Sequence, residues 1–265
     1  MITSYANKAV KEVIQLSQKV KARRQADLFV AEGVKMYQEA PENQIRRVYV
    51  SQEAEKELLV RCGDKLKKTG YEVVADEIFR KMADTKTPQG ILSVIGQLHY
   101  NIEEMLQDKG NGAAPLLLLL EDIQDPGNLG TMFRSGEAAG VSGIVMSKET
   151  VDIYNPKTIR STMGSIYRVP FLYTNDLKEM INRLEKDGIT TYAAHLQGEK
   201  FYDEYAYQSG TAFLIGNEGN GLRRETAEQA GAYLKIPMEG KVESLNASVA
   251  ASVLLFEAYR QRRQK

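Results

Sequence analysis

LLLLLEDIQDPGNLGTMFRSGEAAG, residues 116–140, is the stretch that decides the fold. Five consecutive leucines leave no polar side chain for either face, so the strand they form must be covered on both. An Asp-Pro-Gly-Asn turn (125–128) follows at once. The pattern then repeats with other apolar strands: GIVMS (143–147), RVPFLY (168–173), ITTYAAH (189–195), TAFLIGNE (211–218) and YLKIPM (233–238). Helical stretches separate them, and a long helix over about 246–262 closes the chain, with Leu245, Val249, Val253 and Phe256 recurring every three or four residues. Apolar strands alternating with helices predict an α/β fold: a mostly parallel sheet with helices on both faces.

Upstream of this unit the pattern is α/β again, on a smaller scale. Residues 6–20 predict an amphipathic helix with Val10, Val13, Ile14 and Val20 on one side. LFVAEG (28–33), RVYVS (47–51), YEVVAD (71–76) and GILSVIG (90–96) are extended, with helical stretches over 34–40, 52–62 and 76–83. The charged segment after residue 97 ends in Lys-Gly-Asn-Gly and Pro115, punctuation that suits a linker. The expected division is an N-terminal α/β domain (1–97), a linker (98–114) and a C-terminal domain (115–265).

Composition bounds the function. At 265 residues, 43% hydrophobic and 26% charged, the chain is of ordinary globular make-up and long enough to bury a core without staples. A single cysteine, Cys62, excludes an internal disulfide and a cysteine zinc cluster, and two histidines make a metal site improbable. The N-terminus lacks the apolar core of a signal peptide, and no apolar run approaches the ~18 residues of a membrane span. A soluble, cytoplasmic protein is expected. Net charge is zero, yet residues 1–24 carry Lys8, Lys11, Lys19, Lys21, Arg23 and Arg24 against Glu12, and the tail carries Arg260, Arg262, Arg263 and Lys265 against Glu257. These are either solvated helix faces or a surface for a polyanion.

Three glycine- and asparagine-rich turns follow apolar strands of the second domain: DPGNLGTMFRSGEAAG (125–140), IGNEGNGL (215–222) and PMEGKVESLNAS (237–248). In open α/β sheets, ligands bind beyond the carboxyl ends of the strands, so three such turns in one domain point to one shared site. Neither a G-x-G-x-x-G fingerprint in the first βα unit nor a P-loop is present, which disfavours ordinary dinucleotide and P-loop chemistry.

These turns resemble the three motifs of the SpoU/TrmH RNA 2′-O-ribose methyltransferases. Asn128, Gly130 and Arg134 in NLGTMFR, followed by Gly136, Ala138, Ala139 and Gly140, are similar to the first; IGNEGNGL to the second; IPMEGKVESLNASVAASVLLFE (236–257) to the third. LFVAEGVK (28–35) resembles the opening of the small substrate-binding domain that many members carry. The resemblance implies a trefoil-knotted catalytic domain, a homodimer and S-adenosylmethionine as cofactor; the sulfonium leaves as a good neutral group, so no metal is needed.

By the same resemblance, Gly216, Ile236 and Leu245 would line the cofactor pocket, with Thr191, Ala193, His195, Asn217, Ser244 and Asn246 nearby. Ile236 and Leu245 fit ordinary core equally well, and His195 fits a structural role as well as a cofactor contact. Arg134 is the catalytic arginine by position. Its pKa is too high for a general base, so a clamp on the adjacent phosphate and on developing alkoxide charge is the preferred role. Asn128 and Glu218 would orient Arg134 or the ribose, and Asn246 would cap the last helix. The small residues of that helix, Ala247, Ser248, Ala250, Ala251 and Ser252, suit close packing against a second copy or within one chain.

The substrate implied is RNA, and the two-domain layout points to large-subunit (23S) ribosomal RNA rather than transfer RNA. Lys8, Lys11, Lys19, Arg23 and Arg24 are the candidate backbone contacts, with Tyr5, Phe29 and Tyr37 as candidate stacking residues and core packing favoured for Phe29. The competing readings are a non-catalytic RNA-binding or ribosome-assembly factor and a base methyltransferase.

Overall fold

The structure, a computed structural model, describes residues 1–107 and 112–263. Part of the expected linker therefore lies outside the described residues. The chain forms two compact units: Met1–Leu98 with Asp152–Tyr167, and His99–Val151 with Arg168–Lys265.

In the first unit, α1 (Lys8–Gln18) and α2 (Val20–Ala26) lead into β1 (Leu28–Glu32). Then come α3 (Val34–Glu39), β2 (Ile45–Ser51), α4 (Glu55–Thr69), β3 (Glu72–Val74), α5 (Asp76–Met82) and β4 (Ile91–Gly96). Among the described residues the strands form a sheet of order β1-β4-β2-β3. Its β2–β3 pair is parallel, and the pairs made by β4 are antiparallel. Side chains alternate across it. Tyr49, Leu92 and Val94 pack with Val10, Val13, Leu16, Ile78 and Phe79 on one face, while Val48, Val50 and Ile91 pack with Val34, Tyr37, Leu58 and Leu66 on the other. The helix expected over 6–20 is interrupted: Lys19 is extended, so Val20 opens α2 and is exposed instead of extending the apolar stripe.

A segment distant in sequence completes this unit. Residues 152–167, which contain α8 (Pro156–Thr162), are tied to it by Asp152, whose carboxylate receives Arg23, and by Tyr154. The Tyr154 hydroxyl bonds both the N–H and the C=O of Leu98, and its ring lies 4.8 Å from that of Phe29.

The second unit contains α6 (Ile102–Leu106), β5 (Leu116–Leu120), α7 (Pro126–Ala139), β6 (Gly143–Ser147), β7 (Phe171–Thr174), α9 (Leu177–Lys186) and β8 (Thr190–Ala194). It continues through β9 (Lys200–Phe201), β10 (Thr211–Ile215), α10 (Arg224–Ala227) and β11 (Ala232–Lys235) to α11 (Ala247–Arg262). Its sheet runs β7-β6-β5-β10-β8-β11-β9, and every pairing in it is parallel. Leu117, Leu119, Val145, Ala212 and Leu214 meet α6 and α9 on one face; α7 and α11 pack together, with α11 against β10, on the other. The five leucines are fully buried, as a doubly covered strand requires.

The strand order sets the site. From β5 the chain winds outward through β6 and β7, then crosses over to build β8 and β10 on the opposite side. Neighbouring β5 and β10 are the switch point, and the loops that follow these two strands meet there.

Candidate active site

The loop after β5 is shaped by its own side chains. Asp125 caps α7 by accepting the N–H of Asn128 at 2.8 Å, and Pro126 occupies the first helical position. This places Asn128 in the first turn of α7, within reach of the loop after β10.

The loop after β10 is a tight hairpin. Asn217 and Gly221 exchange backbone hydrogen bonds of 3.0 and 2.9 Å, and Asn217 Oδ1 accepts the N–H groups of Gly219 and Asn220. A Cβ on Gly216 would lie 2.1 Å from Gly221 C and Leu222 N, so only glycine fits there. Gly221 has φ +67°, in the left-handed region. The third loop ends on Asn246, whose Oδ1 caps α11 by accepting Ser248 N at 2.9 Å and Val249 N at 3.3 Å.

One residue ties the three loops together. Asn128 Nδ2 donates to Glu218 Oε1 at 2.9 Å, and Asn128 Oδ1 accepts from Asn246 Nδ2 at 3.0 Å. Ser248 Oγ lies 3.3 Å from the same oxygen. Glu218 also accepts the N–H groups of Gln124 (3.1 Å) and Asp125 (3.0 Å), which closes the first loop onto the second. An ionised carboxylate only accepts, so the Asn128 amide nitrogen must face Glu218 and its oxygen must face Asn246. Partial burial pushes the Glu218 carboxyl up, but the donors from Asn128, Gln124 and Asp125 outweigh it and hold the group below its ordinary range.

Beside this hub lies a cleft of about 430 Å³, walled by the ends of β8, β10 and β11 and by the second and third loops. Six of the residues expected at a cofactor pocket line it: His195, Gly216, Asn217, Ile236, Ser244 and Leu245; Glu218 does so as well. Asn217 shapes its loop and also donates Nδ2 to Asp122 O at 2.8 Å. His195 accepts the N–H of Gln197 on Nδ1, and its ring lies 5.0 Å from that of Tyr233.

Thr191 and Ala193, expected near the pocket, do not line the cleft. Both lie within β8, below the strand end, and are fully buried. Thr191 Oγ1 donates to Glu185 Oε1 at 2.6 Å and accepts Gly231 N at 3.0 Å; Ala193 packs in the core under α9. Their neighbour Ala194, at the strand end, is in the cleft wall, as are Leu222 of the second motif and Met238 of the third. The carboxyl-end rule applied to β8 finds Ala194; nothing in the residue types marks Met238.

Arg134 is exposed on α7 and does not line the cleft of its own chain. Among the described residues it makes no hydrogen bond or ion pair. The adjacent Ser135 faces α11 and bonds Ser252 Oγ at 2.7 Å. On α11, Val249, Phe256 and Tyr259 are exposed apolar side chains.

The expected RNA contacts separate in the structure. Lys8, Lys11, Lys19 and Arg24 are exposed. Arg23 is only 2% exposed and is a structural residue instead. Its Nε and Nη2 donate to Asp152 Oδ2 at 2.8 and 2.6 Å, and Nη1 donates to Leu16 O at 2.7 Å. Phe29 and Tyr37 are in the core, so neither can stack a base; Tyr5 is exposed. In the tail, Arg260 pairs with Glu257, and Arg262 donates to the carbonyls of Ala114, Pro115, Tyr207 and Ser209. Lys265 lies outside the described residues. Among the described residues there is no group of three or more potential metal ligands, and no helix is long and apolar enough to cross a membrane.

Comparison with known proteins agrees with this geometry. Residues 115–256 match the SpoU rRNA Methylase family, and residues 7–93 match an MRM3-like substrate binding domain. A Bacillus subtilis 23S rRNA (guanosine(2553)-2′-O)-methyltransferase, RlmP, is 33% identical over 260 residues, covering 96% of this chain and 97% of its own. An AdoMet-bound rRNA methyltransferase from Sinorhizobium meliloti superposes with a TM-score of 0.84 at 30% identity, over 98% and 97% of the two chains. A solved RNA 2′-O ribose methyltransferase superposes with a TM-score of 0.81 at 27% identity, over 99% of each.

Proposed function

Since the chain belongs to the SpoU rRNA methylase family, we propose that it transfers a methyl group from S-adenosylmethionine to a ribose 2′-hydroxyl of large-subunit ribosomal RNA. The observation that carries this reading is the Asn128–Glu218–Asn246 hub, which joins the three loops at the switch point beside the cleft.

The cleft suits the cofactor. Ile215, Leu222, Leu234, Ile236 and Leu245 give it apolar walls for a flat base, and its volume is in the usual range for small-ligand pockets. Gly216 brings main chain against main chain, leaving backbone groups to read a ligand edge. When bound, S-adenosylmethionine supplies a methyl on a sulfonium that departs as a neutral thioether, so the reaction itself calls for no Lewis acid.

The chain's own task is the nucleophile, a poorly acidic alcohol. Glu218 is unsuited as its base: it already accepts three hydrogen bonds and its pKa is depressed. Its role is to fix Asn128, and through it Asn246, so that the loops keep one geometry. Stabilisation of developing negative charge falls to Arg134. Arg134 stands outside its own cleft and is unpaired among the described residues, and α11 exposes Val249, Phe256 and Tyr259; both features fit a homodimer in which Arg134 serves the cleft of the second copy. The trefoil knot, the division into an RNA-binding first unit and a catalytic second, and a cytoplasmic location belong to the same proposal.

The test is transfer of labelled methyl from S-adenosylmethionine to unmodified 23S rRNA and to bulk tRNA, with the 2′-O-methyl sites mapped. Site-specific label in 23S rRNA that disappears with Arg134→Ala is the expected result. Label only in tRNA reassigns the substrate. RNA binding without cofactor binding or transfer would make the protein an assembly factor and overturn the reading.

A further inference from the structure

Two acidic residues at the end of β5 and one arginine after the second loop form a cluster that the mechanism above does not use. Glu121 is only 2% exposed; its Oε2 accepts Arg223 N at 2.7 Å and its Oε1 accepts Thr226 Oγ1. Asp122 Oδ2 receives Arg223 Nη2 at 2.5 Å and Nε at 3.2 Å. The rest of Asp122 is engaged as well. Its N–H donates to Ser147 Oγ, which donates back to Oδ1, both at 2.8 Å, while its carbonyl accepts Asn217 Nδ2 at 2.8 Å. Its φ of 54° is in the left-handed region, which aspartate and asparagine tolerate better than other side chains.

The arrangement is reciprocal. Glu218, from the second loop, accepts two backbone N–H groups of the first; Glu121 and Asp122, leading into the first loop, accept a backbone N–H, an amide and a guanidinium from the second. The second loop is thereby pinned at its start by Asn217 and at its end by Arg223, with Glu218 between them. Arg223 is half exposed, and an ion pair of that kind adds little to global stability, so the cluster's consequence is geometric.

We infer that Asp122 and Arg223 are positioning residues for methyl transfer: they clasp the first and second loops in the register that holds Glu218 against Asn128. This rests on the methyltransferase reading. Loosening the clasp lets the two loops slide, and a misplacement of about 1 Å near the chemistry costs about 10²-fold in rate.

The experiment compares wild type with Arg223→Gln, Arg223→Lys, Asp122→Asn and the Arg223→Gln/Asp122→Asn double variant. Asparagine tolerates the left-handed backbone and keeps an acceptor for Ser147, so Asp122→Asn leaves that bond in place and removes both the charge and the acceptor that face Arg223, putting an amide N–H there. Methylation of 23S rRNA is measured at saturating cofactor, alongside cofactor Kd and Tm. The expected result is a fall in kcat of roughly 10–100-fold for each single variant. The double variant should be no worse than the singles, Arg223→Lys should recover part of the rate, and KM for RNA, cofactor Kd and Tm should stay near wild type. Wild-type kcat in the variants overturns the inference. So does a loss of kcat that only tracks weaker cofactor binding or a lower Tm, since that is the signature of a structural role. A wild type that transfers no methyl group at all brings down the underlying reading, and the inference with it.

Discussion

Replacing Gly216 by alanine tests the cleft and the hub with one methyl group. The added Cβ would sit 2.1 Å from Gly221 C and Leu222 N and 2.4 Å from Gly221 O, all main-chain atoms that cannot rotate away. Ordinary contact begins near 3.4 Å, so the hairpin 216–222 must open by more than 1 Å. That displacement acts on two things together. It shifts the cleft wall formed by Gly216–Leu222, and it moves Glu218 relative to Asn128, whose 2.9 Å bond has no slack for it. Overpacking of this kind costs about 1–3 kcal/mol. If the bound state must restore the original wall, that cost appears in binding as roughly a 5- to 150-fold weaker Kd, at 1.4 kcal/mol per factor of ten. Isothermal titration with S-adenosylmethionine measures the first effect, and single-turnover methylation at saturating cofactor measures the second. Gly240→Ala is the control, since nothing lies within 4 Å of its added Cβ and it does not line the cleft. Wild-type affinity and rate in Gly216→Ala would refute the steric argument. Equal losses in Gly240→Ala would show that the loops are sensitive to alanine in general.

Three further outcomes follow from named residues. Arg23→Ala leaves Asp152 without its cation and should cost about 3 kcal/mol in urea unfolding, the order found when one member of a buried pair is removed; a change below about 0.5 kcal/mol would contradict the buried-pair description. Arg24→Ala and Lys19→Ala should leave stability unchanged while each lowers the salt dependence of RNA affinity, dlogK/dlog[salt], by about one unit in filter binding; an unchanged slope removes α1 and α2 from the RNA footprint. Because the folded Glu218 pKa is lowered, the stabilisation it contributes is present above the ordinary carboxylate range and is lost only as pH falls through the depressed value; carbon-detected NMR of the Glu218 carboxylate should titrate below an exposed glutamate, and titration above one would refute the hub's donor set.

The fold was legible because the decisive signals are local. LLLLL can only be a doubly covered strand, and Gly216, Asn217 and Asn246 announce tight turns and a helix cap whatever surrounds them. The convergence of the three turns was legible only through strand order, a topological inference from the switch-point rule and the motif resemblance. What the sequence did not announce is non-local. Thr191 and Ala193 share a strand with Ala194, yet the cleft begins only where that strand ends, and the position of the end depends on neighbours contributed by β10 and β11. The attachment of residues 152–167 to the first unit depends on Asp152 meeting Arg23, a pair separated by 129 positions with no pattern to announce it.

Arginine shows why charge counts along a sequence mislead about surfaces. Arg23, Arg223, Arg262 and Arg134 are the same residue type, and three of them lie in stretches that look basic or motif-like. Arg23 is consumed by a carboxylate and two carbonyls, and Arg262 by four carbonyls. Arg223 is held by Glu121 and Asp122. A guanidinium offers five donors in a rigid fork, so wherever the fold presents converging oxygens it is absorbed into structure, and its charge is lost to a polyanion. Lysine, with a compact and strongly hydrated head, is left outside more readily. The cations that α1, α2 and the residue between them leave exposed for the proposed RNA contacts are Lys8, Lys11, Lys19, Lys21 and Arg24, one fewer than the six counted in the sequence. Arg134 is the informative exception: an exposed arginine inside the first motif, bonded to no oxygen among the described residues. That free fork is what the proposed mechanism uses: it assigns Arg134 a phosphate and a reacting ribose in the cleft of a second copy, which is why Arg134→Ala is its decisive variant.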